Sequence, residues 1–286
     1  MTHAMRSHHF LALSQRGFHR TAYTEWGDPN NSKVVICAHG LTRNGRDFDW
    51  LARALENDYR VICPDVIGRG KSEWLTGKTD YAYPFYVAQM ATLIARANAE
   101  QVDWVGTSMG GLIGMFLASL PGTPIRRLVM NDVGPFIPKG ALDRLALYVG
   151  KDIAFDTIEE LEAYIRKISA PFGPLSDVQW RHLATHGSYI DPHGKYRLAY
   201  DPAIGEGFRG EQNDVDLAAI WSMVRCPVLV TRGMESDLLL KDTFEKMKTR
   251  PQTEGVEFPG IGHAPMLMEK DQIDAVRTFL TKADAR

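Results

Sequence analysis

The chain has 286 residues, 44% of them apolar, and a formal net charge of −2. That length suits one large α/β domain or a core with an insertion, and the charge leaves no basic field to hold nucleic acid or anionic lipid. The N-terminal MTHAMRSHHF lacks the apolar stretch of a secretory signal, and no apolar run approaches the roughly 20 residues of a membrane span, so a cytoplasmic protein without membrane partners is expected.

Residues 10–26 alternate around Arg16-Gly17 and predict two antiparallel edge strands. Val34 to Ala38 is a short apolar run suited to a central parallel strand, and it ends in His39-Gly40-Leu41. A helix over 47–57, a strand over 59–63 ending at Pro64-Asp65, and a helix over 84–99 with Pro84 near its start follow. Val102 to Val105 is strand-like, passes through Gly106-Thr107-Ser108-Met109-Gly110, and continues as a small-residue helix. Ile125 to Met130 is the next strand, ending in Asn131-Asp132.

After Pro135 the alternation stops. Helical pieces are expected at 141–149, 157–169 and 176–186, followed by a loop from Ser188 to Phe208. Alternation then resumes with a helix at 215–224, a strand at 228–231, a helix at 241–249, a strand at 256–258 and a closing helix at 272–283. Alternating units imply a mostly parallel sheet with helices on both faces. The expected division is a core of residues 1–134 and 215–286 and an inserted helical cap of residues 135–214. Three cysteines, Cys37, Cys63 and Cys226, lie in or beside strand-like runs and are expected as free thiols in a reducing compartment.

The G-x-S-x-G spacing between strand and helix has a physical reason. A serine is lifted above the end of a sheet only by a tight reversal, which tolerates no side chains two residues to either side. The helix that follows aims its N-terminal N–H groups at any developing oxyanion. Ser108 is therefore the candidate nucleophile. The N–H groups of Leu41 and Met109 are the candidate oxyanion donors. His39 is read as structural.

Of nine histidines, His3, His8, His9 and His19 are N-terminal or on edge strands, and His182, His186 and His193 fall in the insertion. His263, in the glycine-bearing loop PGIGHAP after the last strand, is the candidate general base. A carboxylate must fix its tautomer. Asp237, in the loop after the penultimate strand, and Asp132, after the strand that follows the elbow helix, both preserve the chain order Ser, Asp, His.

The chain resembles the α/β-hydrolases nearly end to end, in HGL at 39–41, PDVIGRGKS at 64–72, GTSMGG at 106–111 and GIGHAP around His263. The resemblance implies the α/β-hydrolase fold, a triad of Ser108, His263 and an aspartate, and an oxyanion hole at Leu41 and Met109. Many members carry G-x-x-D after the penultimate strand. Here the fourth position is Ser236 and the aspartate follows at 237. Spacing to the next helix favours Asp237, whereas some relatives place the acid where Asp132 stands.

Gly70-Lys71-Ser72 ends like a phosphate loop, but the glycine that pattern needs is Asp65, so PDVIGRGKS is read as stiffening a turn. No zinc spacing occurs, and neither a metal nor a cofactor is implied. Arg43 and Asn44 are candidate contacts for a polar or acidic substrate group, and Met109, Phe136, Trp180, Tyr189 and Trp221 are candidate pocket residues. The expected activity is that of a serine hydrolase of small carboxylic esters. Alternatives are a carbon–carbon bond hydrolase or lactonase with the same triad, an acyltransferase, or a slow-turnover ligand-binding receptor on this fold. An aspartate nucleophile, as in haloalkane dehalogenases, is absent from the elbow.

Overall fold

The computed structural model describes residues 4–283, so His3 lies outside the described residues. Its main sheet has eight strands in the order β1-β2-β4-β3-β5-β6-β11-β12. In chain order the strands are β1 (Arg6–Ser14), β2 (Gly17–Trp26), β3 (Val34–Ala38), β4 (Arg60–Pro64), β5 (Val102–Thr107), β6 (Ile125–Asn131), β7 (Phe136–Ile137), β8 (Ser188–Ile190), β9 (Tyr196–Leu198), β10 (Val215–Asp216), β11 (Val228–Gly233) and β12 (Thr253–Phe258). The helices are α1 (Asp49–Leu55), α2 (Tyr83–Ala97), α3 (Met109–Ser119), α4 (Lys139–Ala146), α5 (Ile158–Ile168), α6 (Asp177–His186), α7 (Ala218–Met223), α8 (Lys241–Lys248) and α9 (Lys270–Thr281).

From β4 to β12 every pairing in the main sheet is parallel. β3 and β11 are buried along their whole length, as expected where helices cover both faces. α1 and α9 pack on one face with Leu51, Leu55, Val276 and Phe279. α2, α3 and α8 pack on the other with Met90, Leu93, Ile113 and Phe244.

Three expectations are corrected. β2 is not an edge strand, because Tyr23 to Trp26 pair antiparallel with β4, which leaves only β1 at that edge. The expected helix over 47–57 begins as a 3₁₀ turn at Gly45–Phe48, with the Asn44 side chain accepting from Arg46 N at 3.0 Å. Within 188–208, read as loop, β8 and β9 form a hairpin. Its turn is held by Asp191 Oδ1, which accepts from His193 N and Lys195 N at 2.8 and 3.0 Å, with Gly194 at φ 78°. Asp-Pro-His-Gly is a turn signal that the apolar pattern alone does not use.

The segment between β7 and β10 carries α4, α5 and α6 outside the main sheet. Its entry and exit strands pair with each other, Ile137 opposite Val215 and Phe136 opposite Asp216. A small core of its own gathers Leu161, Ile165, Trp180 and Leu183 with Met266 and Met268 from the loop before α9. Among the described residues, no helix is long and apolar enough to cross a membrane.

Candidate active site

The turn at Ser108 is built by close approach. A Cβ on Gly106 would stand 2.2 Å from Gly110 O, and one on Gly110 would stand 2.0 Å from Ala38 O. Only glycine fits either position. Ser108 itself takes φ 52° and ψ −115°, a conformation L-residues rarely hold. Two hydrogen bonds restrain it: Ser108 N donates to Asn131 O at 2.9 Å, and the buried Trp104 indole donates to Gly110 O at 2.9 Å. α3 begins at the next residue, so its first N–H groups have no helical carbonyl to meet.

His263 comes from the loop between β12 and α9. Gly262 N donates to Pro171 O at 2.7 Å and Asn131 Nδ2 donates to Pro265 O at 2.7 Å, which ties the loop to the insertion and to β6. Nε2 of His263 lies 2.9 Å from Ser108 Oγ, and Nδ1 lies 2.7 Å from Asp132 Oδ2. With Nδ1–H donating to the carboxylate, Nε2 is left to accept the serine proton. The His263 side chain is 10% exposed and that of Asp132 is fully buried, so little water competes for this line of bonds.

Asp132 rather than Asp237 therefore meets His263. Asp132 stands at φ 55° after β6. Its Oδ1 accepts from Gly233 N at 2.8 Å, and its Oδ2 accepts from Ser236 Oγ at 2.6 Å as well as from His263. Asp237 is engaged elsewhere: its two oxygens accept from Nε and Nη2 of Arg144 at 2.5 and 2.9 Å. Counting residues along the β11 loop misleads because the loop delivers Ser236, not an acid, to this place.

Leu41 and Met109 sit beside the serine, and Arg69 links them. Arg69 is fully buried; its Nε donates to Leu41 O and its Nη1 to Ile67 O, both at 2.8 Å, and its Nη2 reaches Met109 Sδ at 3.5 Å. The guanidinium also lies over the Tyr86 ring, 4.9 Å from its centroid. Sequence reasoning quoted this arginine inside PDVIGRGKS but gave it no role. The same stretch stiffens its own turn: Asp65 accepts from Gly45 N and Lys71 N at 2.8 Å, and burial pushes its carboxyl up to about 6. His39 is buried between Gly40 O and Val66 N, and burial pushes its imidazole down to about 3, as a structural neutral histidine requires.

The cleft over Ser108 is bounded below by Gly40, Leu41 and Thr42 and above by Leu145, Tyr148 and Phe172 of the inserted segment. Arg43 lines it and is held by Asp47 through two bonds of 2.9 and 2.7 Å. Asn44 is buried and engaged away from the cleft, donating to His186 O at 2.8 Å. None of the five pocket candidates lines this cleft. Phe136 and Trp221 face a separate one, Met109 is buried, Trp180 stacks on Phe172, and Tyr189 meets Trp74. Asp49, His182 and His186 also come together, but the Arg46 guanidinium already bonds Asp49 and lies 3.3 Å from His186 Nδ1, where it would oppose a metal cation.

The sequence profile of the alpha/beta hydrolase family matches residues 35–276. A 3-hydroxybutyrate-oligomer hydrolase of Cupriavidus necator is 48% identical over 283 residues, covering 95% of this chain and 96% of that protein. A crystal structure of a putative hydrolase from Rickettsia typhi is 34% identical with a TM-score of 0.91, covering 98% of this chain and 100% of that one. An alpha/beta hydrolase from Novosphingobium aromaticivorans is 34% identical with a TM-score of 0.87, covering 96% and 98%.

Proposed function

The chain belongs to the alpha/beta hydrolase family and is a hydrolase of that family, and we propose that it is a serine esterase whose substrates are short oligoesters of a 3-hydroxy acid. The observation that carries the chemistry is the unbroken line Ser108 Oγ, His263 Nε2, His263 Nδ1, Asp132 Oδ2 at 2.9 and 2.7 Å. Ser108 attacks the ester carbonyl as His263 takes its proton. Asp132 stabilises the imidazolium that results. The Leu41 and Met109 N–H groups receive the oxyanion, a contribution typically worth about 3 kcal/mol per donor. His263 then protonates the leaving alcohol, and water activated by the same histidine resolves the acyl-enzyme. The inserted segment acts as a cap that screens this chemistry. The oligoester class is drawn from the Cupriavidus necator relative, and the largely apolar cleft walls suit it. Unpaired cysteines support the cytoplasmic expectation.

The test is release of monomer from 3-hydroxybutyrate dimer and trimer, followed by chromatography, with Ser108→Ala in parallel. Release by the native protein and none by the variant is the expected result. Turnover of p-nitrophenyl butyrate without release from either oligomer would retain the serine esterase and remove the oligoester.

A further inference from the structure

Two guanidinium groups line the cleft that holds Ser108 and His263, and they are held differently. Arg43 is paired with Asp47, and the two side chains are only 12% and 10% exposed. Withdrawing Arg43 would leave a buried carboxylate without its partner, a heavy penalty. Arg144, on α4 of the inserted segment, is paired with Asp237, whose side chain is 45% exposed. Even as a two-bond pair it can be exchanged for another carboxylate at little net cost, because the Asp237 oxygens it releases face water. The planar fork of Arg144 meanwhile already presents the two-bond geometry that any carboxylate accepts. Leu145 and Tyr148, from the same part of the chain, give the cleft around it apolar walls.

We propose that Arg144 is the anchor for the free carboxylate of the substrate, which trades places with Asp237 when an oligoester enters. The inference rests on the esterase reading above and adds a direction to it. In an oligomer of a 3-hydroxy acid the terminal carboxylate is separated from the last ester oxygen by two carbons. With the carboxylate on Arg144, the last ester lies along the cleft toward Ser108. The acyl–oxygen bond of that ester breaks, and the alkoxide leaves with the proton from His263 as a free hydroxy acid. Water then releases the remaining chain, shorter by one unit. The protein thus works from the carboxyl end, one monomer per turn.

The experiment compares kcat/KM for 3-hydroxybutyrate dimer and for its methyl ester in the native protein, Arg144→Gln and Arg144→Lys. The native protein is expected to favour the free acid by about tenfold or more, the size expected of one charge-assisted pair. Arg144→Gln should bring that ratio close to one, and Arg144→Lys should keep part of it. Because the readout is a ratio within each variant, a general loss of fold or rate cancels. Equal hydrolysis of acid and methyl ester by the native protein, or an unchanged ratio in Arg144→Gln, overturns the anchor alone. Failure to cleave either dimer while p-nitrophenyl butyrate is turned over removes the oligoester reading and the anchor with it. A trimer labelled in its carboxyl-terminal unit gives the direction: labelled monomer should be the first product, and labelled dimer would overturn the proposal.

Discussion

The Ser236 hydroxyl donates to Asp132 Oδ2 at 2.6 Å, on the same oxygen that receives His263 Nδ1 at 2.7 Å. Ser236 is held in turn by Leu238 N and Leu239 N, which donate to its oxygen at 3.2 and 3.1 Å. The β11 loop thus aims the carboxylate although it supplies no acid. Ser236→Ala should lower kcat about tenfold with KM nearly unmoved, since a hydrogen bond to a charged group is worth about 1.5–3 kcal/mol and part of it orients the histidine. Steady-state kinetics on a neutral ester would check this, and a change confined to KM would count against it.

The two aspartates separate cleanly by substitution. Asp132→Asn should cost about 10⁴ in kcat, because the amide no longer fixes the histidine tautomer. Asp237→Asn should stay within about threefold on a neutral p-nitrophenyl ester, since its contact is an exposed pair with Arg144. Equal losses in both variants would mean that the histidine is served by another group.

Gly110→Ala tests the elbow. Its Cβ would meet the backbone oxygen of Ala38 at 2.0 Å, and neither strand nor helix can retreat without breaking β3–β5 pairing or α3. A loss of about 3 kcal/mol or more is expected, at or beyond the usual range for overpacking. The urea midpoint reads it directly.

Arg69→Met removes a buried cation from Leu41 O and Ile67 O. Both carbonyls lose their donor, so stability falls, and the Leu41–Thr42 peptide, which follows directly on the one carrying the Leu41 N–H, loses its anchor. The folded fraction should show kcat lower by about 10–100-fold with KM moved less than threefold, the pattern of an interaction made mainly in the transition state. Equal effects on kcat and on the urea midpoint of an inactive-serine background would reduce Arg69 to a packing residue.

Acid should weaken the fold in a defined window. Burial lowers His39 to about 3, and burial followed by the Arg46 charge lowers His186 to about 4. Between those values and about 6.5 the unfolded chain holds protons that the native chain refuses, so stability falls as pH drops through that window. Asp65, raised by burial to about 6, acts oppositely, because its native form keeps a proton the unfolded form loses above about 4. Burial raises the Asp103 carboxyl as well, in the same opposing sense as Asp65. Urea unfolding of the native protein and of His186→Gln near pH 5 should therefore differ in proton uptake, with the variant taking up about one proton fewer.

Much of this was legible where local chemistry is dense. The glycines at 106 and 110, the serine between them and the His263 loop carry their own reasons in the sequence. The acid did not. Asp132 and Asp237 both follow strands in permitted order, and the choice depends on Ser236 filling the nearer position, a contact across 104 residues. Arg69 was hidden for a similar reason: a buried arginine bonding backbone carbonyls leaves no pattern in its neighbours. The aromatic residues expected around the substrate failed because residue type does not say which cavity a side chain faces: Phe136 and Trp221 line another one, and Tyr189 lies exposed beside Trp74.

The short ribbon of Phe136–Ile137 with Val215–Asp216 has a consequence for how such a chain diversifies. It sews shut the place where some eighty residues leave the sheet and return, so the two cut ends meet as neighbours. Lengthening, shortening or exchanging what lies beyond that seam need not shift the strands that lead to Ser108 and Asp132, whereas the His263 loop, bonded to Pro171, is the part that must be re-fitted. Under the proposed function, the choice of substrate can vary there while the nucleophile and its acid stay where the sheet puts them.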